Sequence, residues 1–244
     1  LIRGASEERR RFMDQIISQG NPEYLDALIK YNKALEQRNS IIRRDFRDAL
    51  LYETVEGAMC DAAQRLHEAR RQWVEVFTPI FMDYYHAVAG DGEQVSLCYD
   101  SVLNGSTMHD VLAANRERDM VLGYTSRGVH RDDLELMLGD HSMRRTGSQG
   151  QCKTYTIALR MAQYEFLRKA SPTTPILLLD DIFDKLDAKR VERIVDVVSS
   201  DRFGQIFITD TNRTHLDEIM QRLQGDHCMF TVAGGVVVKD NDNI

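Results

Sequence analysis

The chain has 244 residues, 43% of them hydrophobic, and a net charge of −7. That length can build a real core for one or two domains, and the negative charge excludes a protein that coats nucleic acid through bulk charge. Cys60, Cys98, Cys152 and Cys228 are scattered without a CxxC pair, no signal peptide is visible, and no apolar run approaches the roughly 18 residues of a membrane span. A cytoplasmic protein with reduced thiols and no membrane partner is expected.

Residues 1–21 open on Leu1-Ile2-Arg3-Gly4, read as the exit of a strand, followed from Ser6 by a capped helix with acids in its first turn. Residues 22–93 are a different material, a helical arm. Tyr24, Leu28, Tyr31, Leu35, Ile42 and Ala49 follow a 4-3 spacing interrupted by Arg38 and Asp45. Beyond a break near Gly57, Ala62, Leu66, Ala69, Trp73, Val76 and Ile80 do the same. Two such seams predict an antiparallel helical hairpin, with Pro79 kinking or interrupting its second helix. Trp73 lies on the seam and is assigned to the core. Arg9 to Arg11, Arg38, Arg43, Arg44, Arg47, Arg70 and Arg71 are interleaved with acids, which favours a solvated, salt-bridge-laced face. Phosphate contact by Arg43, Arg44 and Arg47 is the alternative.

Residues 94–244 alternate strands and helices. Val95 to Tyr99 reads as a strand, and Thr107 to Val121 as a charged helix with Val111, Leu112 and Ala114 inward. In Gly128-Val129-His130-Arg131-Asp132-Asp133-Leu134, His130 and Arg131 either contact phosphate or a nearby loop, or belong to a turn held by an Arg–Asp pair; no second ligand suits His130 for a metal. Gly147-Ser148-Gln149-Gly150-Gln151 precedes a helix whose face is Tyr155, Ala158, Leu159, Ala162 and Phe166. Ser148 to Gln151 therefore sit at a helix N-terminus, where free N–H groups favour a phosphate.

Leu177-Leu178-Leu179-Asp180-Asp181 reads as a fully buried parallel strand whose C-terminal tip carries acid. Buried carboxylates are costly, so this pair belongs at the strand end, facing a cation or a reacting water. A Ser/Gly loop and helix followed by such a strand, and then by Asp184-Lys185-Leu186-Asp187, match the signature, Walker B strand and D-loop of an ABC-type ATPase head. Asp180 would hold Mg²⁺ through its waters, and Asp181 would orient or deprotonate the attacking water. A helix over Val191 to Val198, a strand over Gln205 to Thr209, a helix face of Leu216, Ile219, Met220 and Leu223, and a hairpin across Gly234-Gly235 complete the α/β pattern. Thr209 and Asp210 stand at the strand end where such heads carry a γ-phosphate sensor, and Thr211 and Asn212 are alternatives as a helix N-cap. No Gly-Lys dipeptide occurs, so no GxxxxGK[ST] phosphate loop is present. The expectation is the C-terminal part of an ABC-type P-loop ATPase head with an inserted antiparallel helical arm, lacking the N-terminal lobe and inactive by itself.

These motifs resemble one family, the RecF DNA replication and repair proteins, relatives of the SMC-type ATPases. The resemblance runs through Leu1 to Gly4 with Glu8 to Phe12, Tyr31 to Asn39, Gly128 to Leu134, Ser148 to Gln151, and Leu177 to Asp187. It departs at Val129, where Pro is usual, and at Cys152 and Lys153, where Gln and Arg are usual. The resemblance implies an ATP-dependent DNA-binding protein of recombinational repair, a weak DNA-dependent ATPase. It would act on double-stranded DNA near single-strand gaps with RecR and RecO. Two heads would form an ATP-dependent homodimer in which Ser148, Gln149, Gly150 and Gln151 reach the nucleotide of the opposite subunit, with Asp184 and Asp187 in the D-loop at the seam. Asp180 would be the Mg²⁺ acid and Asp181 the catalytic acid, its short side chain fitting a slow switch. The alternatives are a head of another SMC-like or ABC ATPase, or a non-catalytic interaction module.

Overall fold

The computed structural model describes residues 1–46, 48–183, 186–200, 202–211, 216–217 and 227–240. They fall into two compact units, Leu1–Pro175 and Ile176–Ile244.

The first unit begins with irregular backbone over residues 1–5 rather than a strand. Helix α1 (Ser6–Gly20) follows and buries Phe12, Met13, Ile16 and Ile17; Ala5 holds the cap position, so Ser6 is already helical. Helix α2 (Pro22–Arg43) starts where the Asn21 side chain accepts from the Tyr24 amide and Pro22 fills the first turn. It stops at a turn in which Asp45 takes a φ of 49°. Helix α3 (Ala49–Ala89) then begins under an Asp48 cap that accepts from the amides of Leu50 and Leu51. The break between the arm helices is therefore at residues 44–48, not near Gly57, which sits exposed within α3. A strong Asp cap sets the boundary, and an exposed helical glycine costs only about 1 kcal/mol.

The helices run antiparallel, with Tyr24 beside Arg70 and Arg38 beside Glu56. Pro79 does not interrupt α3, which continues for 41 residues. Phe77 and Phe81 on either side are fully buried, and that packing holds the helix through the missing N–H. Among the buried positions of α3 after Met59, Ala62, Leu66, Arg70, Trp73, Phe77, Phe81, Tyr84 and Val88 form a row spaced 4-4-3, with Ala63, His67, Val74 and Tyr85 buried beside it. A straight α-helix of 3.6 residues per turn drifts off a strict heptad, so Ala69, Val76 and Ile80 rotate away from the seam. Trp73 is core as expected, stacked on Phe77 with centroids 4.4 Å apart.

The arginines divide by depth. Arg11, Arg43, Arg44 and Arg71 are exposed, but Arg9, Arg38 and Arg70 are buried, against the expectation of one solvated face. Arg38, on the α2 seam, binds Glu56 at 2.9 Å and Asp119 at 2.7 Å. Arg70 binds Asp14, Asp132 and the Val129 carbonyl, and Arg9 pairs with Asp133. A buried guanidinium is tolerated because its fork of donors meets carboxylates on several elements at once.

Strands β1 (Val95–Asp100), β2 (Asp133–Leu138) and β3 (His141–Ser142) form an antiparallel sheet in that order, with Tyr99 opposite Leu134. Helix α4 (Met108–Leu122) lies between β1 and β2 in the chain. Its inner face is Met108, Val111, Leu112 and Asp119, and Ala114 is exposed because it lies round the helix from that stripe, two residues on from Leu112. After the one-turn helix α5 (Met143–Thr146), helix α6 (Gln149–Ala170) buries Tyr155, Ala158, Leu159 and Ala162. Tyr155 packs on Phe81 and Tyr85 of α3.

In the second unit, β4 (Leu177–Asp180) and β5 (Ile206–Thr209) are parallel, separated in the chain by helix α7 (Ala188–Val198). Burial along β4 alternates: Leu177 and Leu179 are inside, whereas Leu178 is 71% exposed. The expected fully buried strand is thus half-buried, since successive side chains point to opposite faces and Leu178 lies opposite the exposed Phe207. Strands β6 (Phe230–Ala233) and β7 (Val236–Lys239) form the expected hairpin. Gly234 and Gly235 take φ of 59° and 80°, the two positive values a tight hairpin turn requires. Ile219, Met220, Leu223 and Asn212 lie outside the described residues. Among those described, no helix is long and apolar enough to cross a membrane.

Candidate nucleotide and nucleic-acid site

The loop before α6 is built around a reciprocal cap. The Gln151 amide N–H donates to Ser148 Oγ at 3.2 Å, and the Ser148 N–H donates to Gln151 Oε1 at 2.8 Å. This capping box satisfies two backbone donors, leaving the first helical amides, those of Gln149 and Gly150, without an intrahelical acceptor. Ser148 Oγ accepts from the helix and its O–H is a donor not used in that bond, and Ser148 and Gln149 are exposed. Gly147 is needed for close approach: a Cβ there would stand 2.7 Å from the Met143 carbonyl oxygen and 3.1 Å from Cys152 Sγ. Cys152, half-buried, directs its thiol to the Gly147 carbonyl.

The second unit brings together Asp180, Asp181 and Thr209. Asp180 stands opposite Thr209 in the strand register, and the Thr209 hydroxyl donates to Asp180 Oδ1. The Asp181 amide donates to the Thr209 carbonyl at 3.0 Å, and Asp181 takes a φ of 48°, a conformation Asp tolerates better than most residues. The positive φ turns the chain out of the strand just after Asp180, so both carboxylates end at the strand tip. These hard oxygens, with waters completing the shell, are a donor set that fits Mg²⁺. Among the described residues no group of three or more His, Cys, Asp or Glu forms a cage made of protein alone. Asp210 follows at the end of β5. Asp187 caps α7, accepting from the Arg190 amide at 3.0 Å; Asp184 lies outside the described residues.

Of the arginines for which phosphate contact is the alternative reading, Arg43 ends α2 and Arg44 is its C-cap, both exposed. Arg47 lies outside the described residues. Arg131 is exposed on a 3₁₀ turn (Val129–Arg131), with its guanidinium 5.6 Å from the Tyr124 ring centroid. Its neighbour His130 faces inward. His130 Nε2 lies 3.0 Å from the Thr125 carbonyl, to which it must donate, so Nδ1 accepts from the Tyr31 hydroxyl at 2.7 Å. Burial pushes the imidazole down to about 4, with the charges of Arg131 and Arg10 acting in the same direction. His130 thus braces the arm helix α2 against this turn, a contact between Tyr31 and His130 that neither segment announces alone. Asp132, next in the chain, serves Arg70 and the Tyr99 hydroxyl rather than Arg131.

Sequence reasoning also missed Glu93, whose carboxylate accepts from Gln151 Nε2 at 3.0 Å. Its only signal was an acid between the arm and β1.

The fold defines the class: it is that of part of an ABC-type P-loop ATPase head, here with a pair of long antiparallel helices. No family model matches the chain. A RecF-ATP structure, described as a recombination mediator protein in the RecFOR pathway, superposes with a TM-score of 0.80 at 22% identity, over 98% of this chain and 64% of that one. An Smc head domain from Pyrococcus furiosus reaches 0.50 at 18% identity, over 98% of this chain and 58% of that one; at these identities the likeness is one of fold. The sequence is 55% identical over 237 residues to the DNA replication and repair protein RecF of Parabacteroides distasonis, covering 97% of this chain and 65% of that protein. The same protein of Bacteroides thetaiotaomicron is 50% identical over 97% of this chain and 64% of its own length. Over nearly its whole length the chain is thus similar to RecF proteins, and it spans just under two thirds of the length of these relatives.

Proposed function

We propose that this chain contributes the signature and strand-end acids of an ATP-switched DNA-binding protein of recombinational repair. Two features, each within its own unit, support the reading: an exposed Ser148 on a capped helix N-terminus, and Asp180 with Asp181 at a parallel strand tip beside Thr209. In this reading Ser148 and the Gln149 and Gly150 amides bind the γ-phosphate of ATP held by a second copy, because a helix N-terminus attracts phosphate. Gln151 holds the loop in shape, and Asp184 and Asp187 line the dimer seam. Asp180 holds Mg²⁺, which supplies charge neutralisation on the phosphates. Asp181 orients or deprotonates the attacking water, and Thr209 or Asp210 senses the γ-phosphate. Duplex DNA near single-strand gaps is bound through the exposed Arg43, Arg44 and Arg131, together with Arg47, in concert with RecO and RecR.

The test is sedimentation with ATP alongside phosphate release, in a chain spanning the whole length of the relatives. Ser148→Arg places a long cation in the seam and should abolish ATP-driven dimerisation while ATP still binds. Asp181→Asn keeps the shape without the base, so dimers should form and hydrolysis should slow about a hundredfold or more. Normal dimerisation by the first variant, or wild-type turnover by the second, sinks the reading.

A further inference from the structure

We propose that Glu93 is the positioning residue of the signature loop, fixing the orientation of the Gln151 amide, and with it Ser148, while tying both to the end of arm helix α3. The inference rests on the reading of Ser148 as a nucleotide contact and adds to it the part that aims the hydroxyl. Gln151 uses both ends of its side chain. Oε1 accepts from the Ser148 N–H at 2.8 Å, and Nε2 donates to Glu93 Oε1 at 3.0 Å. A flipped amide would set its NH₂ against the Ser148 N–H and its oxygen against the Glu93 carboxylate, two repulsions in place of two bonds. An acceptor at position 93 therefore decides which way Gln151 faces.

Glu93 is itself held from the arm. Its other carboxylate oxygen accepts from the Tyr85 hydroxyl, and its carbonyl lies 3.3 Å from His86 Nε2. Tyr85 is fully buried on α3 and packs edge-on against Tyr155 of α6, with centroids 5.6 Å apart. Tyr155 in turn donates to the Ser96 carbonyl of β1 at 2.9 Å. The last turn of α3, the Glu93 carboxylate, the Gln151 amide and the Ser148 backbone thus form one unbroken series of contacts. A displacement of the α3 end moves the acceptor that orients the signature. Charge assistance makes the Glu93 bond the strongest of the loop's polar contacts.

The experiment is a second-site rescue in a chain spanning the whole length of the relatives. Amide exchange at residues 149–152 is read by mass spectrometry, and ATP-driven dimerisation by sedimentation. Gln151→Glu keeps a capping-box residue but puts a second carboxylate against Glu93; exchange should quicken about tenfold, and the ATP concentration for half-dimerisation should rise by a similar factor. Adding Glu93→Gln should restore both, since that amide donates to the new carboxylate and still accepts from Tyr85. Tyr85→Phe alone should loosen the loop about threefold, with an unchanged urea midpoint in every variant. Failure of Glu93→Gln to restore exchange overturns the proposal, whatever ATP does. If exchange is rescued but Ser148→Arg dimerises normally, Glu93 keeps its positioning role and the nucleotide reading of Ser148 fails instead.

Discussion

Arg38 gives the sharpest test of how the arm is held. Its side chain is fully buried, with Nε on Glu56, and Nη1 shared between Asp119 and the Thr125 hydroxyl. Asp119 is 1% exposed and Glu56 10%, so Arg38→Ala leaves two carboxylates facing a cavity without their cation. Breaking a buried pair in this way costs about 3–5 kcal/mol. Asp119 keeps its bonds from the Ser126 amide and hydroxyl, and Glu56 keeps Arg116, which places the value toward the lower end. Arg38→Lys should recover only part, because one ammonium cannot reach Glu56 and Asp119 with the geometry of a planar fork. Asp119→Asn added to Arg38→Ala should be less than additive, since neutralising the stranded acid removes part of the cost. Trp73, the one Trp in the sequence, is buried in the same unit and reports urea unfolding by fluorescence. A loss below about 1 kcal/mol for Arg38→Ala, the range of an exposed pair, would refute the buried-network account and return Arg38 to a solvated face.

Two further outcomes are expected. The His130 imidazole, held near 4 in the folded protein against an ordinary value of 6.5, binds no proton when folded at pH 5 but does when unfolded. Its contribution is complete above pH 6.5 and is lost as pH falls toward 4. Between pH 7.5 and 5 the protein should therefore lose about 2 kcal/mol more stability than His130→Gln; parallel urea curves for the two at both pH values would count against a neutral, inward His130. Replacing Arg43, Arg44 and Arg47 together with Ala should flatten the salt dependence of duplex binding by up to about three charges' worth, and an unchanged slope would assign them to the solvated face.

What the sequence revealed depended on how local the cause was. The helix start at Ser148 was legible because its cause is local: a Gly/Ser loop precedes an apolar helix face, and the cap that holds it spans only three residues, Ser148 to Gln151. The strand-end acids were legible because an apolar run stopped by two carboxylates has few other places to go. The seam of α3 was legible only in part. Heptad counting found Ala62, Leu66 and Trp73 but not Phe77 or Phe81, since the buried row follows a 4-4-3 spacing and drifts off a strict heptad. The exposed Leu178 escaped because an apolar tripeptide reads as buried on both faces, whereas burial depends on what covers the sheet. Glu93 and His130 were beyond reach: their partners, Gln151 and Tyr31, lie 58 and 99 residues away.

The arginines show how depth changes a functional argument. By composition Arg9, Arg38, Arg43, Arg44, Arg70 and Arg71 were equivalent, a basic cluster tempered by acids. In the fold, Arg9, Arg38 and Arg70 each cross between elements, joining α1 to β2, α2 to α3 and α4, and α3 to α1 and the 3₁₀ turn. Their charges are already matched by Asp133, Glu56, Asp119, Asp14 and Asp132, so they cannot answer a phosphate without exposing an acid. Any phosphate contact from the described part of the arm therefore falls to the outer residues, among them Arg43 and Arg44 at the end of α2. A loss of DNA binding on replacing an inner arginine would report a loosened arm, whereas a change in salt slope with unaltered folding can come only from the outer set. Measuring stability and salt slope on the same variants separates these two causes, which affinity alone would merge.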